Sequence, residues 1–441
     1  GNDTASAVQW RSLRLPHDWS IELPFDEHSP TGTGGGALRG GMGWYRKHFV
    51  LAEANKKKRI FIDFDAVYCQ SEVFINGHSL GKRPNGYISF RYELTPYLRF
   101  GGAVNTIVVK VDNSRQPNSR WYSGSGIYRH VWLVKKQPVY IAKDGVYITT
   151  PVVSESRADV QIQTAWEGEV AKGTRLQIQH AVYDQTGGWV KTIKADVLSQ
   201  EKKNSQTLSI ANPRRWTLDD PFCYSIKTTL LENGKLLDEK TTVIGVRTFR
   251  FDAAKGFFIN DKHVKIIGVC NHHDLGCLGT AVNKRAIERQ LEILKGMGIN
   301  GIRTSHNPPA PELLDLADRM GFVIMDEAFD MWKRSKTTYD YSHEWDSWHR
   351  RDLEDFIKRD RNHPSVFLWS VGNEIGEQWG DAAKGDTAGR TIMRELVTIV
   401  KKLDNTRPVL TANNEPGAWN NLLATGANDI IGYNYNHGKW D

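Results

Sequence analysis

Glu374 is the residue whose placement says most about chemistry. It follows a nearly unbroken apolar run, Val366-Phe367-Leu368-Trp369-Ser370-Val371, so a strand made from that run delivers the carboxyl from a dry wall into a mouth. Desolvation there favours the neutral form, and a neutral carboxylic acid at neutral pH is what a general acid must be. Asn373 beside it offers an amide that donates and accepts, suited to a hydroxyl next to a reacting carbon. The alternative for the pair is a cap on the following helix, a role that needs no apolar approach. Arg303 and His306 stand three apart. A guanidinium close to a carboxylate keeps it ionised, as a nucleophile must be, and a structural ion pair accounts for the spacing equally well. His272 and His273 are adjacent, so after a strand they point to different sides, and hydroxyl contacts suit them better than a shared metal. No metal and no cofactor is expected.

These side chains need elements that bring them together. From Phe251 onward apolar strands alternate with helices. His263–Val269, Gly301–Arg303, Phe322–Met325, Val366–Val371, Pro408–Thr411 and Ile430–Tyr433 read as strands. Lys284–Lys295, Pro311–Met320, Trp348–Arg361 and Ala388–Leu403 read as helices. This order predicts a parallel β/α fold, of which the TIM barrel is the commonest single-domain form. Polar runs follow the strands: Asn271-His272-His273-Asp274, Arg303-Thr304-Ser305-His306-Asn307, Asp326-Glu327, Gly372-Asn373-Glu374 and Asn434-Tyr435-Asn436-His437. In a TIM barrel such positions share the rim that carries the active site. Six strands are counted where a closed barrel needs eight, so an incomplete barrel in a piece of a longer protein is expected.

The upstream half alternates with period two. Residues 1–137 hold short strands and the hairpin signal Asn76-Gly77, predicting a jelly-roll β-sandwich. Residues 138–250 carry about seven more such runs, predicting an immunoglobulin-like β-sandwich. The barrel portion is then 251–441. Composition excludes other classes. With 58 Lys plus Arg against 51 Asp plus Glu, the net charge is +7. The basic residues are scattered, without the concentrated face of a nucleic-acid footprint. No apolar run approaches the ~20 residues that cross a bilayer. Cys69, Cys223, Cys270 and Cys277 have neither zinc nor disulfide spacing and are expected as buried free thiols. Fifteen tryptophans and fifteen tyrosines suit the flat C–H face of a sugar as well as a core.

Several motifs together resemble glycoside hydrolase family 2. In the N-terminal part they are Leu15-Pro16-His17-Asp18-Trp19, Gly43-Trp44-Tyr45-Arg46, Phe74-Ile75-Asn76-Gly77 and Ser125-Gly126-Ile127-Tyr128-Arg129. In the barrel they are Ile302-Arg303-Thr304-Ser305-His306-Asn307-Pro308-Pro309, Met325-Asp326-Glu327-Ala328, Asn362-His363-Pro364-Ser365-Val366 and Trp369-Ser370-Val371-Gly372-Asn373-Glu374. The resemblance implies the same three folds and a retaining exo-β-glycosidase, most similar to bacterial β-galactosidases. It makes Glu374 the acid/base, Asn373 the amide on the sugar 2-hydroxyl, and Arg303 the brace of a nucleophile that lies at the end of strand seven. It places His272, His306 and Tyr435 along the sugar site. A glycoside or oligosaccharide is the implied partner, self-association stays open, and a bacterial periplasm or cell surface is the implied compartment. Two stretches depart from the family. Phe329-Asp330-Met331-Trp332-Lys333 lacks the spacing of a catalytic magnesium site. Arg120 replaces an aspartate that recognises galactose, and it suits an acidic sugar or faces solvent. β-Glucuronidase, β-mannosidase and a non-catalytic carbohydrate-binding protein remain alternatives.

Overall fold

The computed structural model describes residues 10–169, 173–380, 385, 387–415 and 417–439. Alternating apolar and polar residues give the upstream half two sandwiches. In the N-terminal one, a four-stranded antiparallel sheet (Gly41–Val50, Val104–Asn113, Ser71–Ile75, His78–Arg83) packs on a three-stranded sheet (Phe90–Glu93, Arg59–Phe64, Val131–Lys136). Ile62, Phe64, Val73, Ile75, Val109 and Val111 belong to the apolar core of this sandwich. Asn76 (φ 50°) and Gly77 (φ 87°) both take the left-handed conformation that a two-residue hairpin turn requires. The immunoglobulin-like sandwich repeats the plan. Its four strands Trp189–Leu198, Arg175–Tyr183, Tyr224–Glu232 and Lys235–Ile244 face Lys203–Ala211, Arg157–Glu167 and Tyr140–Val153.

Downstream, β1 (Gly268–Asn271), β2 (Gly301–Thr304), β3 (Val323–Glu327), β4 (Val366–Asn373), β5 (Val409–Asn413) and β6 (Gly432–Tyr433) form one parallel sheet in sequence order. Helices α1 (Lys284–Gly296), α2 (Pro311–Met320), α3 (Trp345–Asp360) and α4 (Ala388–Leu403) cover it, with Leu291, Leu314, Phe356 and Leu396 in the shared core. Asn283 caps α1, its Oδ1 accepting from Ala286 N at 3.0 Å. After α2 comes Gly321 at φ 72°, where a Cβ would meet the Leu218 carbonyl oxygen at 2.0 Å, so the turn admits only glycine. No helix among the described residues is long and apolar enough to cross a membrane.

Three expectations need correction. The run His263–Val269 is not one strand. Lys262–Val264 belongs to a separate antiparallel sheet and β1 begins at Gly268. Between them the Asn300 side chain accepts from Ile267 N (2.8 Å) and donates to Lys265 O (3.0 Å), taking backbone groups that a continuous ladder would use. Helix α3 starts at Trp345, whose ring is buried against Phe329 and stacked on His349. Cys69 and Cys223 are buried, but Cys270 and Cys277 are exposed.

The N-terminal sandwich is bolted to the barrel. Arg129 Nη1 and Nη2 donate to the carbonyls of Pro309 (2.8 Å) and Pro308 (2.9 Å). Buried Arg83 places Nη2 2.9 Å from Asp352 Oδ1 and 2.5 Å from Asp355 Oδ2. His273, from the turn after β1, points into this interface, 5.3 Å from the Tyr87 ring and 5.7 Å from that of Tyr128. Burial drives its pKa down to about 3, with the Arg129 charge adding to the effect.

Arg83→Leu strands the buried Asp352 and is expected to cost about 3–5 kcal/mol. The urea unfolding midpoint checks this, and a loss below about 1 kcal/mol would place Arg83 among ordinary surface ion pairs. For His273 the folded pKa lies below the unfolded value of 6.5, so the unfolded chain takes up its proton first. Stability should therefore fall with pH from about 6.5 toward 3, by up to about 1.4 kcal/mol per pH unit, and be unaffected by this group above about 7. Melting curves between about pH 6.5 and 4.5 should be less pH-dependent for His273→Phe than for the parent chain, and an unchanged slope would contradict the assignment.

Candidate active site

β4 is buried at every residue, and it ends in Asn373, with Glu374 immediately beyond. Glu374 takes a left-handed backbone, φ 44°, and its N–H donates to the Ala412 carbonyl at 2.7 Å. A non-glycine residue in that region costs about 1–2 kcal/mol, a cost that recurs where a side chain must be aimed for function. The half-buried carboxylate accepts from Asn434 Nδ2 at 2.8 Å, and the same nitrogen donates to Asn373 Oδ1 at 2.9 Å. Tyr435 follows at φ 64° and is 83% exposed. The negative charge of Glu374, and a hydrogen bond to it, raise the pKa of the Tyr435 hydroxyl.

Behind this edge is a buried polar network. Arg303 Nε lies 3.0 Å and Nη2 2.9 Å from Glu327 Oε2, and Nη2 donates to Asn373 Oδ1 at 2.7 Å. His306 Nδ1 donates to Glu327 Oε1 (2.5 Å) and Ser370 Oγ donates to Oε2 (2.7 Å). Burial would push the Glu327 carboxyl up, but Arg303 and the His306 and Ser370 hydrogen bonds prevail and its pKa is lowered. His272 Nδ1 donates to Ser305 O at 2.8 Å, and burial lowers the imidazole's pKa.

The N-terminal sandwich supplies the opposite side. Trp121 stacks on His272 at 5.0 Å and meets His306 edge-on at 5.7 Å. Arg120 Nε and Nη2 donate to Asp330 Oδ2 (2.8 Å) and Oδ1 (2.6 Å). Asp330 Oδ1 also accepts from Lys336 Nζ (2.9 Å) and Asn373 Nδ2 (2.8 Å). Burial opposes ionisation of Asp330, but these partners hold its pKa well below the usual carboxylate range. Beside the cluster a small cavity of about 70 Å³ opens between sandwich and barrel, lined by Tyr87, Trp121, His306, Asp330 and Tyr339 among others. Glu374 lies outside that lining.

The structure thus brings Glu374, Asn373, Arg303, His306 and Tyr435 into one connected set, with His272 joined through Trp121 and His306. Arg303 is bonded to Glu327 and Asn373. Two expectations change. His273 leaves the site for the domain interface. Arg120 is partly exposed, but its charge is paired: Asp330 takes one edge of its guanidinium through Nε and Nη2. Asp330, in the stretch whose spacing lacked the magnesium pattern, is bonded to two cations. Among the described residues no group of three or more His, Cys, Asp or Glu gathers as a metal site. Trp121 and Lys336 enter unannounced, and no periodicity points to Lys336. Asn434 stands in the polar run after β6, with nothing in the spacing to single it out.

Three models of one family match along the chain: the sugar-binding domain of glycosyl hydrolases family 2 over residues 36–138, the family 2 model over 139–247, and its TIM barrel domain over 252–437. The chain is 50% identical, over 97% of its length, to β-galactosidase BoGH2A of Bacteroides ovatus, covering 54% of that protein. It is 39% identical, over 90% of its length, to a putative β-glucuronidase of Formosa agariphila, covering 37% of it. Among solved structures, a family 2 member from Bacteroides cellulosilyticus superposes with TM-score 0.92 at 38% identity, covering 98% of this chain and 56% of that one. The chain spans about half the length of the curated relatives it matches. With two sandwiches, a parallel barrel sheet and family models running in register from residue 36 to residue 437, the chain belongs to glycoside hydrolase family 2.

Proposed function

We propose that the protein carrying these residues is a retaining exo-β-glycosidase in which Glu374 is the general acid/base. The observation that carries the reading is the aim of Glu374: a fully buried strand ends in Asn373, and the next residue adopts φ 44° with its carboxylate held by Asn434 beside Tyr435. In the first step Glu374 gives its proton to the departing glycosidic oxygen while a second carboxylate attacks the anomeric carbon. In the second step Glu374 takes a proton from the water that displaces that carboxylate. Such a pair stands about 5 Å apart in retaining enzymes. Neither Glu327 nor Asp330 is free to attack, being locked by Arg303 with His306 and by Arg120 with Lys336. As membership of the family implies, the nucleophile is assigned to a glutamate at the end of a seventh barrel strand, outside these 441 residues. Asn373, Arg303, His272, His306 and Tyr435 are assigned to the sugar side of the site.

A β-galactoside is the favoured substrate. The β-galactosidase of Bacteroides ovatus shares half of all aligned residues, and the Arg120 charge is already matched by Asp330, which favours a neutral sugar over an acidic one. β-Glucuronidase is the second reading, supported by similarity to enzymes of that name from Formosa agariphila and Bacteroides fragilis.

In the enzyme with a complete barrel, Glu374→Gln is expected to lower kcat/KM for phenyl β-galactoside by about 10²–10⁴-fold and to spare dinitrophenyl β-galactoside, whose leaving group needs no proton. Equal losses on both would remove Glu374 from the acid role. A panel of phenyl galactoside, glucuronide, mannoside and fucoside should show fastest turnover of the galactoside, and fastest turnover of the glucuronide would select the second reading. The 441 residues alone should show negligible turnover on the whole panel, and turnover by chain proven free of other enzymes would overturn the assignment of an outside nucleophile.

A further inference from the structure

The geometry points to Arg120, Asp330 and Lys336 as a positioning bracket for Asn373 and Glu374, so that a side chain of the N-terminal sandwich governs how well the acid/base is aimed; this rests on the reading of Glu374 given above. The side chain of Asp330 is 1% exposed and receives four bonds of 2.6–2.9 Å, two from Arg120, one from Lys336 and one from the Asn373 amide. The bond to Asn373 fixes which way that amide faces. Its Nδ2 is turned to Asp330, which leaves Oδ1 to accept from Arg303 and Asn434. Flipped, the amide would set its N–H groups against those two donors, and Asn434 would lose the contact that aligns it with the Glu374 carboxylate. Lys336 adds a second hold. Its ammonium spans Asp330 Oδ1 (2.9 Å) and the Asn373 carbonyl oxygen (2.7 Å), the carbonyl that leads into the left-handed turn at Glu374.

Asp330 and Lys336 come from the loop after β3, but Arg120 belongs to the sandwich, in the loop between Val104–Asn113 and Val131–Lys136. Without Arg120, the buried Asp330 carboxylate would keep Lys336 as its one cation and would pull it away from the Asn373 carbonyl. A buried charge short of partners reorganises its neighbours. None of the three need touch the sugar. They act through Asn373 and Glu374, and are positioning residues.

The test compares Arg120→Met, Arg120→Lys and Glu374→Gln in the enzyme with a complete barrel, on phenyl and dinitrophenyl β-galactosides, or on the matching glucuronides if the panel selects them. Misaiming the acid should cost Arg120→Met about 10–100-fold in kcat/KM on the phenyl substrate. The dinitrophenyl substrate should lose less than about 3-fold, since it needs no proton. Arg120→Lys, which keeps the charge and loses the bidentate geometry, should fall between, and it carries the same comparison if Arg120→Met does not fold. Equal losses on both substrates would reduce Arg120 to an ordinary domain contact, and no loss on either would remove it from the site; both overturn the bracket. If Glu374→Gln itself shows no dependence on the leaving group, the acid assignment is what fails, and the bracket falls with it.

Discussion

The site depends on one constraint: charges buried where the barrel strands end must be matched where they stand. Glu327 has no exposed surface, and an ionised carboxylate there survives only with a partner charge and filled lone pairs. Arg303, His306 and Ser370 provide both. Because Arg303 also bonds Asn373 Oδ1, the pairing that keeps Glu327 ionised sets one end of the amide next to Glu374. The same requirement recurs at Asp330, whose partners set the other end. Asn373 is thus held between two ion clusters, and the direction of Glu374 follows from charge matching as much as from backbone geometry.

That arrangement explains why a sandwich belongs to the site at all. A parallel sheet brings strand ends to one rim, yet Asp330 takes its most direct charge from Arg120, and the rings of His272 and His306 meet Trp121; both partners lie on the sandwich. The docking is secured away from the chemistry, through Arg129 on the Pro308 and Pro309 carbonyls and Arg83 beside Asp352. Asp18 joins in, accepting from the Thr280 N–H at 3.0 Å across the same boundary. Sandwich and barrel therefore share a polar seam whose inner edge is the candidate active site.

Much of this was legible in the sequence, and what was not has a physical reason. The apolar run into Asn373-Glu374 announced β4 because a strand buried on both faces reads as continuous apolar residues. Ile287, Leu291 and Leu294 announced α1 because helical spacing puts them on one face. The run before β1 misled, because a side chain, Asn300, replaces the ladder there, and local pattern is blind to a partner 33 to 35 residues away. Arg120 read as free for the same reason: Asp330 is 210 positions distant. Cys270 was expected buried only because free thiols usually are, and spacing says nothing of exposure.

The central claim is that Glu374 moves the protons of a double displacement. Its most direct test is azide rescue of Glu374→Ala in the enzyme with a complete barrel, using dinitrophenyl β-galactoside. If Glu374 is the base of the second step, azide, which needs no deprotonation, should restore turnover and yield a β-configured galactosyl azide identifiable by NMR. Turnover unmoved by azide, or an α-configured product, would contradict the account.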